Sequence, residues 1–99
     1  MNPFELLKNM DKLKSQAEEM KAKAGQIKCT GYSLGNMIEV VANGNMEVES
    51  IKIDPSLVTA ENAQMLQALV ASAVNTALKN VRDRLTQEAG QVLSQYSGV

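Results

Sequence analysis

The chain has no histidine and no tryptophan, a single cysteine (Cys29), and only three aromatic residues, Phe4, Tyr32 and Tyr96. Without histidine there can be no Ser-His-Asp triad, no imidazole acid–base step and no histidine-ligated metal. One cysteine can neither close an internal disulfide nor complete a CxxC pair, which fits a reducing compartment. So few aromatics leave little on which single-stranded bases could stack. No apolar run approaches the roughly 20 residues that span a bilayer. The first twenty residues carry seven charges and no apolar stretch of the kind that leads a secreted chain. Gly31, Gly35 and Gly44 do not fall at GxGxxG or P-loop spacing, and the serines and threonines have no base to activate them. The expectation is a non-enzyme with no cofactor, no metal, no membrane and no small-molecule substrate.

What is present suffices for one aliphatic core. The 99 residues are 44% apolar, drawn mainly from Leu, Val, Ile, Met and Ala. A chain of this size buries only about 65% of its unfolded surface, so self-association would help to stabilise it.

Residues 1–27 read as a helical arm. Asn2 is a good N-cap, Pro3 sits at the tolerated first position and Glu5 stands where a capping box wants it. Leu6, Met10, Leu13, Ala17, Met20, Ala24 and Ile27 recur at alternating spacings of four and three. That is the narrow heptad stripe of a coiled coil, facing either a helix of its own domain or another subunit. Residues 28–54 switch to a period of two and read as three strands: Cys29–Tyr32, Met37–Ala42 and Met46–Ile53. Asn43-Gly44 is a hairpin signal. Hydrophobic phase favours a three-residue loop that opposes Ala42 to Met46 and Val40 to Val48. Ile51 and Ile53 then need a second irregularity near Glu49-Ser50. Thr59 is the expected N-cap of a second helix over 59–97. Its apolar face is broad from Met65 to Val81 and thinner beyond Leu85, through Val92 and Leu93. Gly90 is a candidate break and Ser97-Gly98 a stop.

The fold class is therefore α+β in a single domain: long N-terminal helix, three-stranded antiparallel sheet, long C-terminal helix. Helices of about 36 and 45 Å or more exceed a body whose radius of gyration should be about 13 Å. They must project, and the simplest arrangement lays the start of the first antiparallel along the end of the last.

Charge is distributed unevenly beneath a net of −1. Residues 1–28 carry a net +2, residues 29–78 a net −4 and residues 79–99 a net +1. Lys14 and Lys21 share one edge of the heptad stripe, with Lys28 in the same register if the helix lasts that far. Such flanking charges ordinarily solubilise a helix or pair with a partner helix. Glu47 and Glu49 read as a solvated strand face, Cys29 as a small core residue, and Met10, Met20, Met37, Met46 and Met65 as core filling.

Thr30-Gly31, Ser33, Met37-Ile38-Glu39-Val40-Val41, Asn43-Gly44 and Ile51-Lys52-Ile53-Asp54-Pro55-Ser56-Leu57 follow one another in a familiar order. With Met65-Leu66, Leu69-Val70, Ala73-Val74-Asn75 and Ala77, the chain resembles the YbaB/EbfC family of bacterial nucleoid-associated proteins over roughly residues 3–90. The resemblance implies a cytoplasmic homodimer joined through the sheet region, with tweezers-like arms that bind double-stranded DNA. By helix and charge type it points to Lys8, Lys12, Lys14, Lys21 and Lys23 on the first helix, and to Lys79, Arg82 and Arg84 on the last. The dimer interface then falls on Ile38, Val40, Val48 and Ile51. The family's glycine-rich turn is here Ser33-Leu34-Gly35-Asn36, with less glycine and hence stiffer. The alternative is a helical protein-interaction module that uses the heptad seam without DNA.

Overall fold

The computed structural model describes residues 2–96. Asn2 holds extended backbone and its Oδ1 accepts from the Phe4 N–H at 3.1 Å, while Pro3 takes the first helical position. The cap satisfies one orphan donor and the proline has none to lose. Helix α1 runs from there as Pro3–Gln26 and stops where Ile27 turns extended, its N–H bonded back to the Ala24 carbonyl at 3.1 Å. Lys28 therefore lies beyond the helix, in the first strand.

No residue of α1 is buried. Met10 is 62% and Met20 70% exposed, and Leu6 and Leu13 are open as well. The expected intrachain packing of this helix along the end of the last one is thus corrected. Among the described residues, α1 meets the rest of the chain near its C-terminal end, where Ala24, Gly25 and Ile27 become half-buried and the Lys21 carbonyl accepts from Asn45 Nδ2. Core filling by methionine is corrected with it. Met10, Met20, Met46 and Met65 are exposed, and of the five only Met37 packs against the core.

The sheet is an antiparallel meander of β1 (Lys28–Ser33), β2 (Ile38–Asn43) and β3 (Val48–Ile53), in that order. Gly31 opposes Val40 and Cys29 opposes Ala42. On the other side Ile38 opposes Ile53, Val40 opposes Ile51 and Ala42 opposes Val48. Directly opposed residues share a face, so one face collects nearly all the apolar strand residues. The expected irregularity is present: Val41 opposes Ser50 while Ala42 opposes Val48, leaving Glu49 as the extra residue of a bulge. The bulge is what keeps Val48 and Ile51 on one side.

The hairpin loop has three residues, as expected, but they are Gly44-Asn45-Met46, which corrects the register with Met46 and Val48. Asn43 stays paired, its N–H donating to the Glu47 carbonyl at 2.9 Å. Its buried Oδ1 accepts from the N–H groups of Asn45 (2.9 Å) and Glu47 (3.3 Å). The last loop residue, Met46, takes the left-handed conformation (φ 61°). Leu34, in the turn between β1 and β2, does the same (φ 51°).

Thr59 Oγ1 caps a 3-10 turn, Ala60–Asn62, that runs straight into α2, Ala63–Tyr96. The helix continues through Gly90 without a break. The side chains of Val92 and Leu93 and the stop expected at Ser97-Gly98 lie outside the described residues. Ala73, Ala77 and Val81 are fully buried on Ile38, Val40 and Ala42, with Leu57 closing one end. The small residues allow α2 to lie almost on the backbone of β1: a Cβ on Gly31 would run into the Ala73 carbonyl and the Ala77 N–H. Two side chains fasten the same contact. Ser33 Oγ donates to the Leu69 carbonyl at 2.7 Å and Asn80 Nδ2 to the Thr30 carbonyl at 2.9 Å.

α2 covers β1 and β2 and leaves β3 bare. The resulting molecule measures 67 × 37 × 17 Å with a radius of gyration of 19.7 Å, against about 13 Å for a compact chain of this length. The helices project, as their lengths required.

Candidate nucleic-acid interface

Lysines belong on α1 for two local reasons. Their straight stems suit a helix, and an unburied helix gives every side chain access to water. Lys8, Lys12, Lys14, Lys21 and Lys23 are all exposed. At 100° per residue they are spread around the helix. Lys14 and Lys21 lie about 10 Å apart along one margin of the apolar seam, Lys23 lies near the opposite margin, and Lys8 and Lys12 lie on the side away from it.

The ion pairs decide which cations are available. Among the described residues the pairs are Lys28 with Glu49 (3.2 Å), Lys79 with Asp83 (3.2 Å) and Arg84 with Glu88 (3.5 Å). None lies on α1, although Glu18 and Glu19 share that helix with the lysines. On α2, Lys79 and Arg84 are tied to acids one turn away, and of the three expected cations only Arg82 is in no such pair. Exposed pairs of this kind are weak, worth about 0.3–0.5 kcal/mol, yet each sets an opposite charge beside the cation that a polyanion would approach. The structure thus separates the eight expected cations into six that are unpaired and two that are matched. The segment counts had merged them, because pairing depends on rotamers that a sequence count does not hold.

The body behind α1 is acidic. Glu39, Glu47, Glu49, Asp54 and Glu61 face only Lys52 in net charge. Asp54 is held below its ordinary value by the Ser56 hydroxyl first and the Ser56 N–H second, at 2.7 and 2.9 Å. It stays ionised and adds to the negative side.

The four expected interface residues divide. Ile38 and Val40 are fully buried beneath α2 within one chain, which corrects their assignment: they are core. Val48 (40% exposed) and Ile51 (45%) remain open on the uncovered strand. Beside them is an open apolar groove of about 430 Å³ between β3 and α2, lined by Ile53, Leu66, Gln67, Val70 and Ala71. Sequence reasoning did not single out the groove residues, because Leu66 and Val70 merge into the one broad apolar face that runs from Met65 to Val81.

The sequence profile of the YbaB/EbfC DNA-binding family matches residues 1–96. The chain belongs to that family. A nucleoid-associated protein of Desulfotalea psychrophila is 36% identical over 91 residues, covering 85% of this chain and 86% of that protein. One of Pelotomaculum thermopropionicum is 32% identical over 91 residues, covering 92% and 87%. The crystal structure of the Helicobacter pylori protein HP0035 superposes with a TM-score of 0.65 at 28% identity, covering 94% of this chain and 98% of that one. The YbaB/EbfC fold is therefore the helix–sheet–helix arrangement described above, and the lysine-bearing α1 and the bare β3 are features of a member of a DNA-binding family. No helix among the described residues is long and apolar enough to cross a membrane.

Proposed function

We propose that this YbaB/EbfC member is a homodimeric nucleoid-associated protein that grips double-stranded DNA between its helical arms. The observation that carries the proposal is a projecting helix with five exposed lysines that are in no ion pair among the described residues, standing off an acidic body. A polyanion is drawn to the arm and repelled by the body, so contact falls on the arms. Lysine ammonium groups meet phosphates as point charges and read no base edges. Sequence preference is accordingly weak. The protein resides with the nucleoid, in the cytoplasm, and acts on expression by occupying DNA rather than by selecting a site. No group on the arms suits catalysis.

The second copy supplies what one chain lacks. The bare β3 with Val48 and Ile51, the groove at Leu66 and Val70, and the open seam of α1 are all apolar and all unpartnered within one chain. An isologous dimer covers them twice with one set of contacts. A duplex titration at several salt concentrations tests the reading. Log affinity should fall linearly with log salt, by about 0.9 per phosphate neutralised, and equally for unrelated sequences. A flat response rejects the phosphate grip.

The exposed seam of Leu6, Met10 and Leu13 also favours a second reading, a module that receives a partner's helix. A stoichiometric helical partner, together with no duplex binding at low salt, would select it.

A further inference from the structure

We infer that the Gly44-Asn45 tip of the β2–β3 hairpin is a latch that aims α1, making Asn45 and Gly44 positioning residues for DNA binding. The inference rests on the arm-grip reading above and adds to it where the arm's direction comes from.

α1 has no buried face, so side-chain packing cannot fix its angle to the body. The hairpin does this through polar contacts. The Gly44 N–H donates to the Ala24 carbonyl at 2.9 Å and to the Ile27 carbonyl at 3.0 Å. Asn45 Nδ2 reaches further up the helix and donates to the Lys21 carbonyl at 3.1 Å. The Ala24 carbonyl lies in the last turn of α1, where carbonyls lack the usual partner within the helix, and the Lys21 carbonyl lies one turn further back, where the Asn45 amide adds a second bond from the same loop. Two anchor points along an axis define a direction, whereas one would leave a pivot. The loop comes this close only because position 44 has no side chain: a Cβ there would run into the Ala24 carbonyl. Gly44 is not among the positive-φ residues of the loop, so its absent side chain serves the approach and not the turn. Asn43, whose Oδ1 accepts from the N–H groups of Asn45 in the loop and Glu47 just after it, stiffens the base of the latch. A small error at this hinge is multiplied along the arm. Lys8 stands 13 residues from Lys21, about 20 Å further out, so a tilt of some 15° would displace it by about 5 Å.

The test separates aim from grip. Spin labels at Gln16→Cys on α1 and Asn75→Cys on α2, in a full-length Cys29→Ala background mixed with excess unlabelled protein, report the intrachain arm-to-body distance. The parent should give one narrow distribution. Asn45→Ala, and the isosteric Asn45→Asp whose carboxylate cannot donate, should broaden it; Gly44→Ala should shift its mean. Duplex affinity should fall by roughly twofold to tenfold, the equivalent of one hydrogen bond's worth of order, while the salt slope stays at the parent value because the same lysines meet phosphate. Unchanged distances in the Asn45 variants would overturn the latch, even if Gly44→Ala fails to fold. Broadened distances with unchanged affinity would overturn its role in DNA binding. A parent that does not bind duplex would instead reject the arm-grip reading, and the distances alone would then decide whether the latch sets the arm.

Discussion

Replacing Gly31 with alanine should be among the costliest single-atom additions in this chain. The new Cβ would meet backbone on the facing helix, at the Ala73 carbonyl and at the Ala77 N–H and Cα. Backbone cannot rotate aside as a side-chain tip can, so α2 must lift from β1. Overpacking of this kind costs about 1–3 kcal/mol. Lifting also stretches the Ser33–Leu69 and Asn80–Thr30 bonds, now 2.7 and 2.9 Å, at about 0.5–1.5 kcal/mol each. The combined loss is about 2–6 kcal/mol, a large share of the roughly 5–15 kcal/mol that holds a domain folded. Urea unfolding followed by far-ultraviolet circular dichroism, at one fixed protein concentration because association adds to apparent stability, reads the loss from the midpoint. Gly90→Ala is the matched control. That glycine is helical and its added Cβ meets nothing within 4 Å, so the variant should gain about 0.5–1 kcal/mol. A Gly31→Ala midpoint within about 0.5 kcal/mol of the parent's would refute the close-contact argument.

Leu34→Gly should stabilise the chain by up to about 1 kcal/mol, since a leucine at φ 51° bears a left-handed penalty of about 1–2 kcal/mol that glycine's greater unfolded freedom only partly offsets; an unchanged melting temperature would contradict it. Lys14→Gln combined with Lys21→Gln should shrink the salt slope by about 0.9 for every phosphate contact removed on unrelated duplexes alike, read by fluorescence anisotropy, with the solution mass unchanged. Val48→Asp with Ile51→Asp should drive the solution mass in ultracentrifugation to that of one chain, as both side chains are exposed on the bare strand and a buried unpaired charge is strongly disfavoured. The lowered Asp54 value means that its contribution to stability is held above the ordinary aspartate value of 3.8 and lost as pH falls through the lower folded value; Ser56→Ala should return the carboxyl toward its ordinary value in a carbon-detected titration.

The helix–sheet–helix order, the cap at Asn2, the bulge near Glu49 and the projecting helices were legible because each rests on local chemistry: a capping oxygen, a period, a break in phase, a length. The destination of the α1 seam was not. A heptad stripe states the width of the surface it wants and not the chain that carries it, so Leu6 to Met20 could be assigned to this chain's own last helix and are instead open. Ile38 and Val40 were placed at an interface for a similar reason: strand alternation identifies a covered face without saying whether α2 or a second copy covers it. The hairpin was displaced because the Asn43 side chain, which bonds the N–H groups of Asn45 and Glu47, kept that residue paired where the dipeptide signal placed it in the turn. Gly44 read as a turn residue, and its actual constraint comes from Ala24, twenty residues back in the chain. Lys79 and Arg84 have acids one turn away, but so do Lys14 with Glu18 and Lys23 with Glu19 on α1; which of these spacings becomes a pair depends on rotamers that spacing does not hold.

An arm with no interior face has one further consequence. Most helix stability in proteins comes from packing of an apolar face, and α1 has no buried residue, so the amides between Leu7 and Lys21 should exchange with solvent through local openings that leave the sheet and α2 intact. Whatever comes to rest on the seam would close those openings. Deuterium uptake along this one segment therefore serves as a built-in gauge of occupancy, slowing as a companion settles on it.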